Sequence, residues 1–208
     1  MSTSEFSPTL LHSLMVFILS ETPRELGAIE LAKIVYLIDV EKVRVTGETM
    51  TSQSYTRQSK GPLARDFDSC NTDMDGFEIS VTVGPSRGAS RFSKKGHSVG
   101  DKPRFRPSLD PIDAIIARRV LSRIKNLSPR QIERLAYDTE PMQAILHKEA
   151  RMRERLLGAP IDFSLVQPHP LVRKWQENMA RPAIPDSGFE AFLGQEADEI
   201  DQILTSLA

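Results

Sequence analysis

The sequence predicts a mainly α fold, in which a compact helical domain carries one small β-hairpin and an extended C-terminal arm. Apolar residues recur at steps of three and four over several segments, which is the period of an amphipathic helix. A single stretch, residues 77–83, alternates apolar and polar side chains as a half-buried strand does. Five prolines lie between Gly158 and Gly188, where helical periodicity is lost and an extended conformation is favoured.

The composition is that of an ordinary globular protein with one domain and an appendage. The chain has 208 residues, of which 39 % are apolar and 26 % are charged, and these fractions exclude a wholly disordered chain. We place the helical domain at residues 7–157 and the proline-rich arm, which ends in an acidic amphipathic helix, at residues 158–208. Cys70 is the only cysteine in the sequence, which excludes a disulfide scaffold and a cysteine-rich zinc site.

Two helices are predicted in the N-terminal part of the chain. Ser7 and Pro8 form a cap and first-turn pair in front of an apolar stripe, and this helix should end near Glu21. A second helix over residues 28–46 is apolar around most of its circumference, as a central helix packed on several sides would be. Gly47 ends it as a residue suited to the left-handed conformation. The residues expected on its buried side include Ile34, Leu37 and Ile38.

A polar stretch follows the second helix. Residues 50–60 carry few apolar side chains and lead to a chain break at Gly61-Pro62. Residues 63–70 are compatible with a short helix.

The predicted hairpin comes next. The alternating strand at 77–83 runs into turn-forming residues at 84–88, and residues 89–93 are the expected return strand. Residues 94–106 are then expected to form a basic loop.

Three further helices are predicted before the arm. Asp110-Pro111 begins the first, and Ser128-Pro129-Arg130-Gln131 begins the second with the capping-box form S-x-x-Q. The third follows a break at residues 137–141. Its expected core residues are Met142, Ile145, Leu146 and Met152. In the arm, residues 196–207 return to helical spacing with one acidic face.

Charge is distributed unevenly along the chain. Residues 1–84 and 156–208 are net acidic, whereas residues 85–155 are net basic. The basic part can pair with the acidic parts of the same chain, with an acidic partner or with phosphate. A DNA-binding regulator that uses the basic loop at 87–106 therefore stays an alternative. Because no helix-turn-helix pattern is evident, nucleic acid is not the expected partner.

The sequence also predicts a cytoplasmic protein without a membrane partner. No apolar run reaches the roughly 18 residues that a membrane span needs. The apolar stretch at residues 10–19 lacks the preceding basic residues of a signal peptide.

Residue patterns for catalysis or metal binding are missing from the sequence. None of the four histidines has a metal-ligand spacing, and the H-x-E triplet at 147–149 lacks the paired cysteines of a zinc deaminase. No phosphate-binding loop or nucleophile elbow occurs. We therefore expect no catalytic residue, no metal and no cofactor. An enzyme with a site near Tyr36, Lys60 and His147 stays an alternative.

Several short motifs resemble one known family. The pieces are L-A-K-I-V-Y-L-I-D at 31–39, R-V-T-G at 44–47, Tyr55 and K-G-P-L at 60–63. In this order and spacing they resemble the Panacea domain, the family of SocA-like antitoxins. Leu127-Ser128 and the sequence L-H-K-E at 146–149 resemble a later block of the same family. The resemblance covers about residues 10–150.

The resemblance implies a bacterial or phage-borne antitoxin of a type II toxin–antitoxin system, encoded beside its toxin. Such antitoxins are not enzymes and neutralise the toxin by direct protein binding. One relative is a proteolytic adaptor, so a bacterial protease is implied as a second partner. The toxin-binding residues implied by the motifs are Lys33, Tyr36, Asp39, Tyr55, Lys60, Gly61, Pro62, His147 and Glu149. Each of these positions also admits a structural role, such as a core aromatic at Tyr36.

Overall fold

The computed structural model describes residues 9–70, 79–84, 94–99 and 108–179. Within these residues the fold is mainly α, as the sequence predicts, with seven helices and two small antiparallel sheets. The helices are α1 (Leu10–Glu21), α2 (Ala28–Thr46), α3 (Phe67–Cys70), α4 (Pro111–Ile124), α5 (Pro129–Tyr137), α6 (Glu140–Met152) and α7 (Pro170–Met179). The strands are β1 (Leu26–Gly27), β2 (Tyr55–Gln58), β3 (Gly61–Ala64), β4 (Ile79–Gly84) and β5 (Lys94–Val99).

Helix α1 ends at Glu21 as predicted, but its cap differs from the prediction. Thr9, and not Ser7, is the N-cap residue: its side chain accepts a hydrogen bond from the backbone N–H of His12, at 3.3 Å. The His12 ring in turn accepts from the Thr9 backbone N–H, at 3.1 Å, which closes a capping box. The buried side chains of α1 run from Leu11 to Leu19.

Helix α2 has the predicted bounds and lies at the centre of the fold. It contacts α1, α4, α5 and β3, which explains why its sequence is apolar on several sides. Gly47 ends the helix at φ +84°, and its N–H donates to the Val43 carbonyl at 2.9 Å. Ile34 and Ile38 are buried as expected, whereas Leu37 is only half-buried because it borders a surface groove next to Val120 and Leu135.

A hairpin that the sequence did not predict is formed by β2 and β3. Tyr55 pairs with Ala64 and Gln58 pairs with Gly61, so that two residues form the connecting loop. Residues 158–161 run along the free edge of β2: Ile161 N–H donates to the Tyr55 carbonyl at 2.9 Å, and Arg57 N–H donates to the Ala159 carbonyl at 2.8 Å. Because residues 50–60 are mostly polar, the sequence pattern did not indicate this strand.

The second sheet has the strand order β1-β5-β4. The predicted hairpin therefore exists, and residues 94–99 form its described return strand; residues 89–93, where the return strand was predicted, lie outside the described residues. Ile79 pairs with Val99 and Gly84 with Lys94. Residues 94–99 were expected in a basic loop. Their backbone pairs with β1 as well as with β4, so strand formation here rests on two ladders of hydrogen bonds and overrides the basic composition.

The caps of the later helices agree with the sequence. Asp110 accepts from the Ile112 N–H at 2.9 Å at the start of α4, and Ser128 and Gln131 form the predicted capping box of α5. In α6, Met142 and Ile145 are buried and Leu146 is half-buried. The prediction for Met152 is wrong: its side chain is 59 % exposed. Met152 lies in the last turn of α6, next to Arg153, which ends the helix with φ 55°.

The first part of the predicted arm packs onto the core. Ile161 and Val166 are buried in the same apolar cluster as the helices, and the turn Phe163–Leu165 covers β2. Helix α7 was not predicted, because prolines at 168 and 170 suggested an extended chain; Pro170 is instead the first helical residue, where proline is well tolerated. The tail helix predicted at 196–207 lies outside the described residues. In the described ranges, no helix is both long and apolar enough to cross a membrane.

Candidate functional site

Three polar residues of α2 face the β2–β3 hairpin. Lys33, Tyr36 and Asp39 follow one another at steps of three, and this spacing places them along one side of a helix. All three are buried, and each bonds to a different part of the structure around the hairpin.

The carboxylate of Asp39 organises the chain that leads into β2. It is 0 % exposed and accepts hydrogen bonds from the backbone N–H groups of Met50, at 2.7 Å, and Thr51, at 3.0 Å. The hydroxyl groups of Thr51 and Tyr55 donate to its second oxygen, the latter at 2.7 Å. Burial raises the pKa of Asp39, and these hydrogen bonds act in the opposite direction. Burial and the neighbouring Asp39 raise the pKa of Tyr55.

The aromatic ring of Tyr36 packs between the hairpin and the arm. Its centroid lies 5.4 Å from that of Tyr55 and 5.8 Å from that of Phe163, in edge-to-face arrangements. The Thr139 hydroxyl donates to the Ala136 carbonyl, at 2.9 Å, so the Tyr36 hydroxyl is the donor in its 2.7 Å bond to Thr139. Burial raises the pKa of Tyr36. This tyrosine is a structural residue at the meeting point of α2, α6 and the arm.

Lys33 lies against the turn between β2 and β3. Its side chain is 2 % exposed, and Nζ donates a hydrogen bond to the Pro62 carbonyl at 2.7 Å. Gly61 has φ +100°, and a Cβ at this position would lie 3.0 Å from Lys33 Cε. Glycine is therefore needed at 61 both for the backbone conformation and for the approach of the lysine. Burial lowers the pKa of Lys33 to about 8, with Glu133 opposing this effect.

Arg57 and Glu149 join the hairpin to the end of α6. Arg57 Nε lies 3.3 Å from Glu149 Oε1, and its guanidinium group lies over the ring of Tyr137, 5.4 Å from the centroid. Glu149 Oε1 also accepts from the Leu156 N–H at 2.9 Å, which fixes the chain after α6. Arg57 is 5 % exposed. Sequence reasoning missed it, although its spacing of two from Tyr55 is the signal of a shared strand face.

Two of the predicted site residues are on the surface. Lys60 is exposed in the hairpin turn, and His147 is exposed on α6. The structure therefore brings Lys33, Tyr36, Asp39, Tyr55, Gly61, Pro62 and Glu149 into one packed region around the hairpin. Of the three residues named for the enzyme alternative, Tyr36 is fully buried, whereas Lys60 and His147 are exposed.

Two grooves border the buried part of the site, and Lys33 and Ile29 line both. The hairpin groove, about 230 Å³, lies between α2 and the hairpin, with Leu63 and Phe67 in its wall. The helix groove, about 390 Å³, lies between α2 and the start of α5, with Pro129 in its wall. Ile29 is 47 % exposed between them. Together they form an apolar surface with charged residues at its rim.

Among the described residues, no group of three or more histidine, cysteine, aspartate or glutamate side chains is arranged to hold a metal ion. Comparison with family models, curated proteins and solved structures finds no match to this chain.

Proposed function

We propose that this protein is an antitoxin that binds a toxin protein encoded beside it and neutralises the toxin by covering it, without chemistry of its own. The observation that carries the proposal is the convergence of the antitoxin-like motif residues on the β2–β3 hairpin. Lys33, Gly61-Pro62 and Glu149 are far apart in sequence, yet all of them hold this hairpin in position. A surface supported by so many buried polar contacts is preorganised for binding.

The burial of the titratable groups favours binding over catalysis. Asp39 and Tyr36 are 0 % exposed, and the Tyr55 hydroxyl is bonded to Asp39 inside the core. A general acid or base has to reach the proton that it transfers, within about 3 Å or through one water. These groups have no such access, whereas they do fix the loop that precedes the hairpin.

The surface above this framework has the composition of a protein interface. Ile29 provides an exposed apolar centre, and Lys60 and Arg130 belong to the polar rim of the two grooves. Stable protein interfaces combine an apolar centre with a charged rim in this way. The proposal places the complex in the cytoplasm, where the single, buried Cys70 stays reduced.

Co-expression with the product of the adjacent gene tests the proposal. The wild-type protein is expected to restore growth to cells that make the neighbouring protein and to copurify with it. Ile29→Asp should abolish both effects because it puts a charge at the apolar centre of the surface. Ile112→Asp is the matched control, since Ile112 is 52 % exposed on α4 and lines neither groove. It should behave as wild type.

The outcomes separate the proposal from its alternatives. Rescue by both variants, with intact folding, would place the interface elsewhere on the molecule. If the adjacent gene product is neither toxic nor bound, the antitoxin proposal is wrong. The protease partner is tested in the same cells: after protein synthesis is stopped, a proteolytic adaptor shortens the lifetime of the toxin, whereas a stoichiometric inhibitor leaves it unchanged or longer.

A further inference from the structure

The ammonium group of Lys33 is a buried positive charge without a counter-ion in the described parts of the chain. Its side chain is 2 % exposed, and the Pro62 carbonyl is the acceptor that the described residues provide for its three N–H donors. No described carboxylate lies within 4.0 Å of Nζ. Buried charges in proteins are normally paired, because removing them from water is costly.

The neighbouring charged groups do not neutralise the ammonium group of Lys33. Glu133 attracts the ammonium only from beyond ion-pair distance, and the nearby Arg57 repels it. Arg57 is itself bound to Glu149, and Glu30 is bound to Arg24 at 2.5 Å. The site therefore lacks one negative group at the point where the lysine meets the two grooves.

At Gly61 no side chain stands between the buried lysine and the hairpin groove. Any side chain at position 61 would lie against Lys33, since a Cβ there would be 3.3 Å from Nζ. Lys33 and Gly61 both line this groove of about 230 Å³, whose other walls include Ala32, Leu63 and Phe67. The arrangement combines one desolvated cation with apolar walls.

We propose that Lys33 binds a carboxylate group of the partner protein, namely an aspartate or glutamate side chain that is flanked by apolar residues and enters the hairpin groove. This inference rests on the proposed function and names the chemistry that the site recognises. A single carboxylate supplies the missing charge and accepts from the free N–H donors of the ammonium. The apolar neighbours of the carboxylate would pack against Ile29 and Leu63.

The charges around the grooves favour a carboxylate over a phosphate group. Asp68 lines the hairpin groove and Glu133 lines the helix groove. They would repel a dianion more strongly than a monoanion. Phosphate sites usually contain several arginine, lysine or backbone N–H donors that converge on one point, whereas here Lys33 is the buried cation and Lys60 and Arg130 lie at the rims of two different grooves. Nucleic acid is disfavoured for the same reason.

Binding of a carboxylate would change the protonation of Lys33. Burial holds the pKa of Lys33 at about 8 in the free protein. A bound anion stabilises the charged form and raises this pKa. Above pH 8, complex formation therefore takes up a proton, whereas at pH 6 the lysine is already charged and no proton is taken up.

Sodium acetate is the first probe, used on the full chain with ¹³C-labelled lysine. The Cε resonance of Lys33 reports its pKa by NMR, and Lys33→Arg, which keeps a cation, assigns the resonance. Acetate at about 100 mM should raise the pKa of Lys33 by on the order of one unit relative to sodium chloride at equal ionic strength. The Cε resonance of Lys125, which lines neither groove, should be the same in the two salts. Equal pKa values of Lys33 in the two salts would overturn the proposal.

The adjacent gene product is the second probe. At pH 8.5, calorimetry in two buffers of different ionisation enthalpy should detect uptake of a large fraction of one proton per complex. Lys33→Met should abolish this uptake and weaken binding by about tenfold or more. Lys125→Met, at an exposed lysine that lines neither groove, is the control and should keep the proton uptake.

The two probes separate the failure of this inference from the failure of the proposed function. Binding of the gene product without uptake that depends on Lys33 overturns the carboxylate site and leaves the antitoxin function standing. A response to acetate together with no binding of the gene product supports the site and contradicts the antitoxin function.

Discussion

Asp39 and Tyr55 are joined by a 2.7 Å hydrogen bond in the interior of the protein, across 16 residues of sequence. The bond links the central helix α2 to the first residue of the hairpin. Because Asp39 also accepts two backbone N–H groups and the Thr51 hydroxyl, one carboxylate ties the chain between α2 and β2 to the central helix. The position of the hairpin therefore depends on this side chain.

Asp39→Ala is expected to destabilise the protein strongly. The substitution leaves two backbone N–H groups and two hydroxyl groups buried without their acceptor, and the expected loss is about 3–5 kcal/mol in the free energy of unfolding. Urea unfolding monitored by circular dichroism measures it. Asp138→Ala, at an exposed aspartate, is the control and should cost about 0.5 kcal/mol or less. If the free energy of unfolding falls as little for Asp39→Ala as for Asp138→Ala, the hydrogen bonds to Asp39 contribute little to stability.

Two glycines with positive φ give a second comparison. At Gly47, φ is +84° and a Cβ would have no neighbour within 4 Å, so Gly47→Ala should cost only about 1 kcal/mol. At Gly61 a Cβ would also press on the buried Lys33, so Gly61→Ala should cost about 2–3 kcal/mol. The additional cost of Gly61→Ala over Gly47→Ala should be smaller in a Lys33→Ala background. Equal costs at the two glycines in thermal unfolding would contradict the proposed close contact.

The sequence predicted helices better than it predicted the hairpin that carries the site. The bounds of α2 follow from its continuous apolar pattern and from Gly47, both of which are local signals. The hairpin β2–β3 has an arginine on its inward face, and Arg57 is tolerated there only because Glu149 and Tyr137 meet it from distant parts of the chain. Such pairing is tertiary information, which neither periodicity nor composition contains.

The geometry of the candidate site could not be predicted from the sequence for the same reason, because it depends on contacts between distant parts of the chain. The motif residues could be found in the sequence, but whether they face solvent or the core could not. Tyr36 and Asp39 are buried. Their hydrogen-bond partners, Thr139 and Thr51, belong to none of the recognised sequence motifs. Exposed Lys60 and His147 show that a motif match alone does not separate surface from core residues.

The basic part of the chain yields a prediction about DNA. Residues 87–106 belong to the net basic part of the chain, 85–155, and the acidic segments at 1–84 and 156–208 oppose its charge, so the net field is weak. We expect no tight binding of duplex DNA at about 150 mM salt. Fluorescence anisotropy with a labelled duplex measures this. Submicromolar binding that weakens steeply with added salt would support the DNA-binding alternative.

Lys33 should make the stability of the protein depend on alkaline pH. Its pKa is about 8 in the folded state and has the ordinary value of 10.5 when the chain unfolds. Between these values the unfolded state binds more protons, so the free energy of unfolding rises with pH. The contribution of Lys33 should be about 2–3 kcal/mol between pH 8 and pH 10.

The difference between wild type and Lys33→Met isolates this contribution, because other titrating groups cancel in it. Urea unfolding should show the stability of wild type rising relative to Lys33→Met over this pH range. Lys60→Met, which alters an exposed lysine, should follow wild type. Parallel curves for wild type and Lys33→Met would mean that Lys33 keeps an ordinary pKa.

Arg57 and Glu149 should be energetically coupled, because their contact closes the end of α6 and the following chain over the hairpin. Arg57 Nη2 donates to Glu149 Oε2 at 3.4 Å, and the same carboxylate holds the Leu156 N–H. A double-mutant cycle with Arg57→Met and Glu149→Gln should give a coupling of about 1–3 kcal/mol, since both side chains are largely removed from water. Glutamine keeps an acceptor for Leu156, so the cycle reports the ion pair and not the backbone bond.

The exposed pair Arg134–Asp138 is the control, with an expected coupling of about 0.5 kcal/mol or less. Equal coupling in both pairs would mean that the buried contact adds nothing beyond a surface ion pair, and the hairpin would then be held by its other contacts, among them those of Asp39 and Lys33.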